Sequence, residues 1–418
     1  MSKTQPPVGT GAREPATMQK RLWFLLPLAT LSISMIWGGV LQALLARQIA
    51  DFPGGDSAAA AGTLGAVLSV SAISAVVFTP VVGWLSDRTR TSFLGRRNIW
   101  IFGGAIVGAL VMLIVAFAGN PVLLAISWAI ALVPLNGYQA ATAAVVPERV
   151  PIPIRARLTA INGMMGVVGI GAGATIGALL PIVTGYLALG IQLVVVASVF
   201  AFCTRDVSPP SIPTGQRPPR SRLPGFRSAP DFWWAFTGRF LIFLAYGLAS
   251  GFQLYALRDY VKVGDGTTDA ASETLPLLVG TSTILLVVSA VVGGILADKT
   301  GRMKPFVVGA SVLFIPAGLL LALVPTLPGM VIGFALIGLG FGCYISVDGA
   351  LITRVLPRLE DAGRDLGVLN IANAGPQVVA PVIAGALVSF AGYPVLFVAV
   401  AVVALLGAVA VFFIRSVR

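Results

Sequence analysis

The sequence predicts an all-α membrane protein with twelve transmembrane helices in two pseudo-symmetric six-helix bundles. Three observations carry that prediction. Of the 418 residues, 57% are of hydrophobic type and 11% are charged, against roughly 25% charged in an average soluble domain. The apolar residues fall in long continuous runs, giving a mean hydropathy of +0.93. The second half of the chain also repeats landmarks of the first. Together these exclude a soluble enzyme, a disordered chain and a fibrous protein.

A helix needs roughly 20 apolar residues to cross the hydrocarbon core. Twelve runs meet that requirement. In the first half they are Leu22–Ala46, Thr63–Leu85, Ile99–Ala118, Pro121–Val146, Leu158–Leu180 and Val183–Cys203. In the second they are Phe232–Leu257, Thr274–Ala297, Pro305–Val324, Pro328–Thr353, Leu366–Phe390 and Tyr393–Ile414. A membrane barrel shows alternating segments of about 10 residues instead, so these runs are helices that satisfy their own backbone.

The net charge of +12 does not point to nucleic acid, because the basic residues form short clusters between apolar runs and not one patch. With the N-terminus on the cytoplasmic side, 24 of the 28 Lys and Arg fall in the tails and inner turns; Arg47, Arg239, Arg258 and Lys262 are the exceptions. The positive-inside rule then assigns both termini to the cytoplasm, and the expected location is the plasma (inner) membrane, as a multi-pass protein. Cys203 and Cys343 lie in apolar runs and histidine is absent, so neither a disulfide scaffold nor a metal site is expected, and no cofactor.

The expected organisation is a cytosolic tail at 1–21 without a cleavable signal pattern, a first bundle at 22–203, a cytoplasmic linker at 204–231, a second bundle at 232–414 and a short tail at 415–418. The linker is rich in Pro, Ser and Arg (Pro209, Pro210, Pro218, Pro219, Arg220, Arg222), a composition that stays solvated. Gly83-Trp-Leu-Ser-Asp87-Arg88 closes the second run and Gly294-Ile-Leu-Ala-Asp298-Lys299 closes the eighth, 211 positions later. Pro151 and Pro357 correspond in the same way, followed by Asn162 and Asn370. Duplication of a six-helix unit is how many secondary transporters are built.

The two loops, read as Gly83, Asp87, Arg88, Gly95, Arg96, Arg97 and as Gly294, Asp298, Lys299, Gly301, Arg302, resemble the signature of the major facilitator superfamily. The resemblance covers the chain from Leu22 to Ile414. The stretched first copy, with the segments around Asp348 and Asn370, is similar to the branch of plant sucrose transporters and glycoside–pentoside–hexuronide symporters. The resemblance implies a major facilitator fold in which the loop acids latch the inner side. A carboxylate at a helix N-terminus gains about 0.3–1 kcal/mol, and Arg88, Arg96 or Arg97 would pair with Glu148.

Inside the spans only Arg239 and Asp348 are charged. A central charge costs at least about 2.5–3.5 kcal/mol to insert. Arg239 lies about 10 Å into its run and Asp348 about 9 Å from the end of its own, at 1.5 Å per residue. Similar depth predicts a direct Arg239–Asp348 pair, read as the proton-coupling site. Trp37, Gln42, Asn136, Tyr138, Gln139, Tyr246, Gln253, Asn370, Asn373 and Gln377 are the candidate cavity residues. Amides hydrogen-bond hydroxyls and aromatic rings cover apolar sugar faces.

Gly169, Gly173 and Gly177 recur every four residues and mark a close-packing helix face, not a dinucleotide fingerprint, because no strand precedes them. No Walker loop is present, so ATP does not drive the chain directly. An intramembrane enzyme would need a nucleophile–base set, for which, without His, the only candidates are Asp348 with scattered Ser and Thr. The expected function is secondary transport of a small polar solute, a sugar or glycoside, by alternating access with protons or Na⁺, by a monomer in the lipid bilayer. The competing expectation is an exporter of amphipathic compounds driven by proton antiport.

Overall fold

A computed structural model describes residues 16–52, 57–89, 94–204, 206, 226, 229–355 and 362–414. The first half contains α1 (Ala16–Gly39, continued by a π-helical turn Val40–Leu44 and by Leu45–Ala50), α2 (Ser57–Arg88), α3 (Asn98–Ala116), α4 (Pro121–Arg149), α5 (Ile152–Leu179) and α6 (Ile182–Cys203). The second contains α7 (Pro230–Ser250, continued by Gln253–Tyr255 and a π-helical stretch Ala256–Val261), α8 (Thr268–Thr300), α9 (Lys304–Leu323) and α10 (Leu327–Val355). The remaining helical stretch, Ala362–Phe412, is broken at Gly392 (φ 82°, ψ 176°) into α11 (362–391) and α12 (393–412).

Among the described residues ten helical stretches are long and apolar enough to span a bilayer, and the last of them, Ile371–Phe412, runs for 42 residues. At 1.5 Å per residue that is about 63 Å, twice a hydrocarbon core, so it is two spans joined at Gly392. Adding α2, the sequence expectation of twelve holds. No strand occurs among the described residues.

The helices overrun the apolar runs. The run Thr274–Ala297 is part of a helix that reaches from Thr268 to Thr300, and α4 continues past Val146 to carry Glu148 and Arg149. Hydropathy marks where lipid begins, whereas the hydrogen-bonded ladder continues until a cap stops it. Asn120 caps α4 by accepting from the Leu123 N–H at 2.9 Å, with Pro121 in the first turn. Thr267 does the same for α8, and such caps contribute about 1 kcal/mol each.

Packing rests on close backbone approach. A Cβ on Gly173 of α5 would lie 2.0 Å from the Met35 carbonyl oxygen of α1, and one on Gly169 or Gly177 would meet Leu31 or Gly39 of the same helix. The second half repeats the device between α10 and α8, where a Cβ on Gly342 would lie 2.0 Å from the Leu286 oxygen. Between the halves, α5 packs on α8 and α2 on α11; Gly65 meets Gly385 and Gly171 meets Thr283. The Tyr255 hydroxyl donates to the Ala46 carbonyl at 2.8 Å. These crossings run from mid-span to the far face, opposite the face carrying Ala16 and Phe412.

Gly173→Val should therefore cost more than the 1–3 kcal/mol typical of overpacking, because the obstacle is helix backbone. Its yield of monodisperse protein in detergent should collapse. Gly103→Val, at a position with open space around it, should behave as the parent does.

Candidate functional site

Helix α7 enters the membrane at Pro230 and brings Arg239 inward after nine residues. Helix α10 leaves at Val355 and holds Asp348 seven residues before its end. Both sit at about 10–14 Å depth. They meet: Arg239 Nη1 lies 2.9 Å from Asp348 Oδ2, with side chains 17% and 6% exposed. The buried Nε of the same guanidinium has no hydrogen-bond partner among the described residues. Phe243 lies under it, 5.4 Å from Cζ, and Tyr344 lies against the carboxylate. Phe341 joins the group, stacked on Tyr246 at 3.9 Å and edge-on to Phe243 at 5.2 Å. The surroundings are thus apolar and aromatic, where an unpaired charge is expensive. Breaking a buried pair costs about 3–5 kcal/mol, and a neutral hydrogen bond returns only about 0.5–1.5 kcal/mol.

The other candidate cavity residues divide. Trp37 of α1 donates from Nε1 to Gln139 Oε1 of α4 at 3.1 Å, and the Trp37 ring sits edge-on to Trp128 at 6.4 Å. Gln139 and Gln377 are exposed, and Asn373, Tyr246 and Gln42 are half-buried. Tyr138 and Asn136 do not line a cavity. Tyr138 is fully buried between α4 and α1, its hydroxyl donating to the Ala29 carbonyl at 3.1 Å. Asn136 Nδ2 donates to the Leu132 carbonyl of its own helix at 2.8 Å. Helix periodicity could not separate a cavity face from an interhelical one. The Asn370 side chain lies outside the described residues.

The first helix of each half is distorted at matching positions. Gln42 lies in the π-helical turn of α1, and Gln253, 211 positions on, lies just before the π-helical stretch of α7. Such distortions recur at functional sites. Gln253 is 5% exposed with its Oε1 unpartnered. The next landmark also repeats: Arg47 and Arg258 share the same offset. Arg47 Nη1 donates to the Gly177 and Leu180 carbonyls at 2.8 and 2.7 Å, a cation at the C-terminus of α5. On the other side Arg258 Nε donates to Asp259 at 2.6 Å, and the Tyr393 hydroxyl at the α11–α12 break donates to the same carboxylate at 3.1 Å. Each first helix is thereby fastened to the junction of the fifth and sixth helices of its half.

At the opposite face the first loop motif is locked. Arg96 Nη2 and Arg97 Nη2 lie 2.7 and 2.5 Å from Glu148 Oε1, and Arg97 Nη1 donates to Ser86 Oγ at 2.9 Å. Two of the three expected arginine partners thus reach Glu148. The side chains of Asp87, Arg88 and Asp298, and the surroundings of Gly83, lie outside the described residues. Sequence reasoning missed Asp206. Its carboxylate accepts from the N–H of Arg97 and, at 3.3 Å, of Asn98 at the start of α3. It also pairs with Arg149 at 2.6 Å, both side chains 2% exposed. Gly95 is required there twice over, by its φ of +87° and because a Cβ would lie 2.1 Å from Asp206. The available signal was an acid directly after the sixth run, in a chain with only 16.

In the second motif copy the described residues are Gly294, Lys299, Gly301 and Arg302. Gly301 (φ +63°) caps α8 through its N–H to Ala297, the left-handed residue that ends many helices. Gly294 faces Ser346, and Lys299 and Arg302 are exposed. They form no ion pair among the described residues.

Burial alone would raise the Glu148 pKa, but the hydrogen bonds and charges of Arg97 and Arg96 outweigh it and hold the group below its ordinary 4.5. A depressed carboxylate stabilises the fold above its unfolded pKa and loses that contribution as pH falls through the folded value. Glu148→Gln should lower Tm at pH 6–8, and the gap should close as pH falls below about 4.5. A gap that does not narrow at all as pH falls below 4.5 would rule out the ionic origin.

A family model, the Major Facilitator Superfamily, matches residues 22–271 and again 265–418. A bacterial homologue of the human lysosomal transporter Spinster, in an inward-facing and occupied conformation, is similar in structure. Its TM-score is 0.70 at 16% identity, covering 96% of this chain and 97% of that one. The nucleoside transporter NupG is similar too, with a TM-score of 0.67 at 14% identity, covering 95% of this chain and 100% of that one. No curated protein matches in sequence. With the family model matching almost end to end and the twelve-helix fold in agreement, the chain belongs to the Major Facilitator Superfamily and is a membrane transporter, not an enzyme.

Proposed function

We propose that the chain moves a small polar solute, a sugar or glycoside, across the plasma membrane by alternating access, driven by protons. The stretched first loop motif and the segments around Asp348 and Asn370 resemble the branch of the sucrose and glycoside–pentoside–hexuronide symporters. Both termini and the linker at 204–231 are placed on the cytoplasmic side, and one copy of the chain suffices. The observation that carries this reading is the Arg239–Asp348 pair, an ion pair held inside the spans. Of the other ion pairs among the described residues, each sits at a helix end.

Two further features support it. Hydrogen-bonding amides lie beside aromatic rings, with Trp37 on Gln139 and Tyr246 near the ion pair, which suits hydroxyl-rich rings. The described crossings between the halves run toward the far face, while the arginine-rich loop lies at the other end. A carboxylate inside the protein takes a proton when its cation withdraws. Alternating access supplies that withdrawal: Asp348 is ionised while Arg239 is close and is protonated when it is not.

Asp348→Asn fixes the protonated shape. In proteoliposomes with an imposed proton gradient it should lose uphill accumulation of sugar while retaining downhill exchange, by the logic of a two-state carrier. A static pair gives a different pattern, with each single neutral variant folding poorly and the Arg239/Asp348 double variant recovering. Accumulation by Asp348→Asn at the parental rate, or accumulation driven by Na⁺ at fixed pH, would overturn proton coupling at this site. Dye efflux without sugar uptake would identify an exporter instead.

A further inference from the structure

We propose that the Tyr255 hydroxyl is a latch that holds the far face closed, and that Arg258 is the residue that positions it. The proposal rests on alternating access alone; it is independent of the solute and of proton coupling at Asp348.

Helix α7 leaves helical geometry at Phe252 (φ −122°, ψ 20°) and resumes as Gln253–Tyr255. Tyr255 is fully buried, and its hydroxyl donates to the Ala46 carbonyl at 2.8 Å, which joins the second half to the first. The position 211 residues earlier is Leu44, which packs against Gly185 of its own half. The duplication therefore supplies no matching hydroxyl from the first half.

A chain of contacts within the second half aims the ring. Arg258 Cζ lies 4.6 Å from the Tyr255 ring centroid. Its Nε and Nη2 donate to the two oxygens of Asp259 at 2.6 and 3.0 Å, and the Tyr393 hydroxyl donates to the same carboxylate at 3.1 Å. A guanidinium held by two donors on one carboxylate is fixed in its plane, and a cation over a ring face attracts that ring. Tyr393 directly follows the break at Gly392. The Tyr255 ring is thus referenced to the α11–α12 junction, and only its hydroxyl reaches the other half.

The rim beside the latch opposes closure. A polar cavity of about 520 Å³ is lined by Asp51 and Ala60 of the first half and by Arg258, Thr267 and Asp269 of the second. Asp51 and Asp269 repel one another, and neither has an ion-pair partner among the described residues. Arg47 also acts on Asp51, but its guanidinium is engaged by the Gly177 and Leu180 carbonyls, and Arg258 is engaged by Asp259. The rim charges push the halves apart while the hydroxyl draws them together, so one hydrogen bond can shift the balance between open and closed.

The test measures distances between spin labels on the full chain in proteoliposomes. One pair, Gly119→Cys with Pro325→Cys, sits at exposed far-face positions of the two halves, in a Cys203→Ser/Cys343→Ser background. A second pair, Cys203 with Arg302→Cys, reports the near face in a Cys343→Ser background. Tyr255→Phe keeps the ring and removes the donor, and it should raise the ratio of far-face-open to far-face-closed molecules by about three- to tenfold. The near-face pair should shorten in the same fraction of molecules. Arg258→Lys, which keeps the charge and loses the planar fork, should shift the ratio the same way by a smaller factor and add nothing in the Tyr255→Phe background. Asp51→Asn should restore part of the closure that Tyr255→Phe loses. A Tyr255→Phe variant with parental distances, whether or not its Tm falls, would show a packing role only and overturn the latch. Additive effects of Arg258→Lys and Tyr255→Phe would overturn the positioning role. A single unchanging distance at both faces in the parent and in every variant would overturn alternating access together with the latch.

Discussion

The cost of charge in a low-dielectric medium organises this molecule. One guanidinium and one carboxylate lie inside the spans, and neither is tolerable there alone. Their pairing at 2.9 Å fixes the rotation of α7 against α10, the two helices that bring nothing else charged to that depth. The same rule governs the ends of the helices. There Glu148, Arg149 and Asp206 are each matched with an opposite charge, because partial burial at the lipid boundary already makes an unpaired ion unfavourable.

Backbone demands follow from the same medium. Between helices in lipid the hydrophobic effect does not discriminate, so close contact must supply the attraction. The glycines of α5 against α1, and of α10 against α8, bring main chains together where a methyl group would collide with a carbonyl oxygen. These contacts make each half a firm unit. The crossings between halves use the same small residues, Gly65 against Gly385 and Gly171 against Thr283.

The duplication is kept in structure and broken in chemistry. Gln42 and Gln253, Arg47 and Arg258, and the α5–α6 and α11–α12 junctions answer one another across the two halves. The ion pair has no counterpart: 211 positions before Arg239 stands Leu28, which is exposed on the surface of α1. The loop motif is bound by Glu148 and Asp206 in the first half, and Lys299 and Arg302 of the second copy are exposed. A duplicated scaffold thus holds one ion pair inside its spans.

The sequence by itself determined the all-α class, the twelve spans, the duplication and the meeting of Arg239 with Asp348. Each of these follows from quantities local to a helix: the length of an apolar run, the charge within it and its depth. The close-packing face of α5 was legible for the same reason, as a four-residue period. Only the tertiary structure decided which polar side chains are enclosed by neighbours. It turned Tyr138 and Asn136 into packing, joined Trp37 to Gln139, and left the Gln253 carbonyl and the Arg239 Nε without partners. It also brought Asp206 back to the start of α3, more than a hundred residues away in the chain. Those outcomes depend on how helices rotate about their axes against one another. That rotation is set by the sum of many weak contacts across the bundle, which no single stretch of sequence contains.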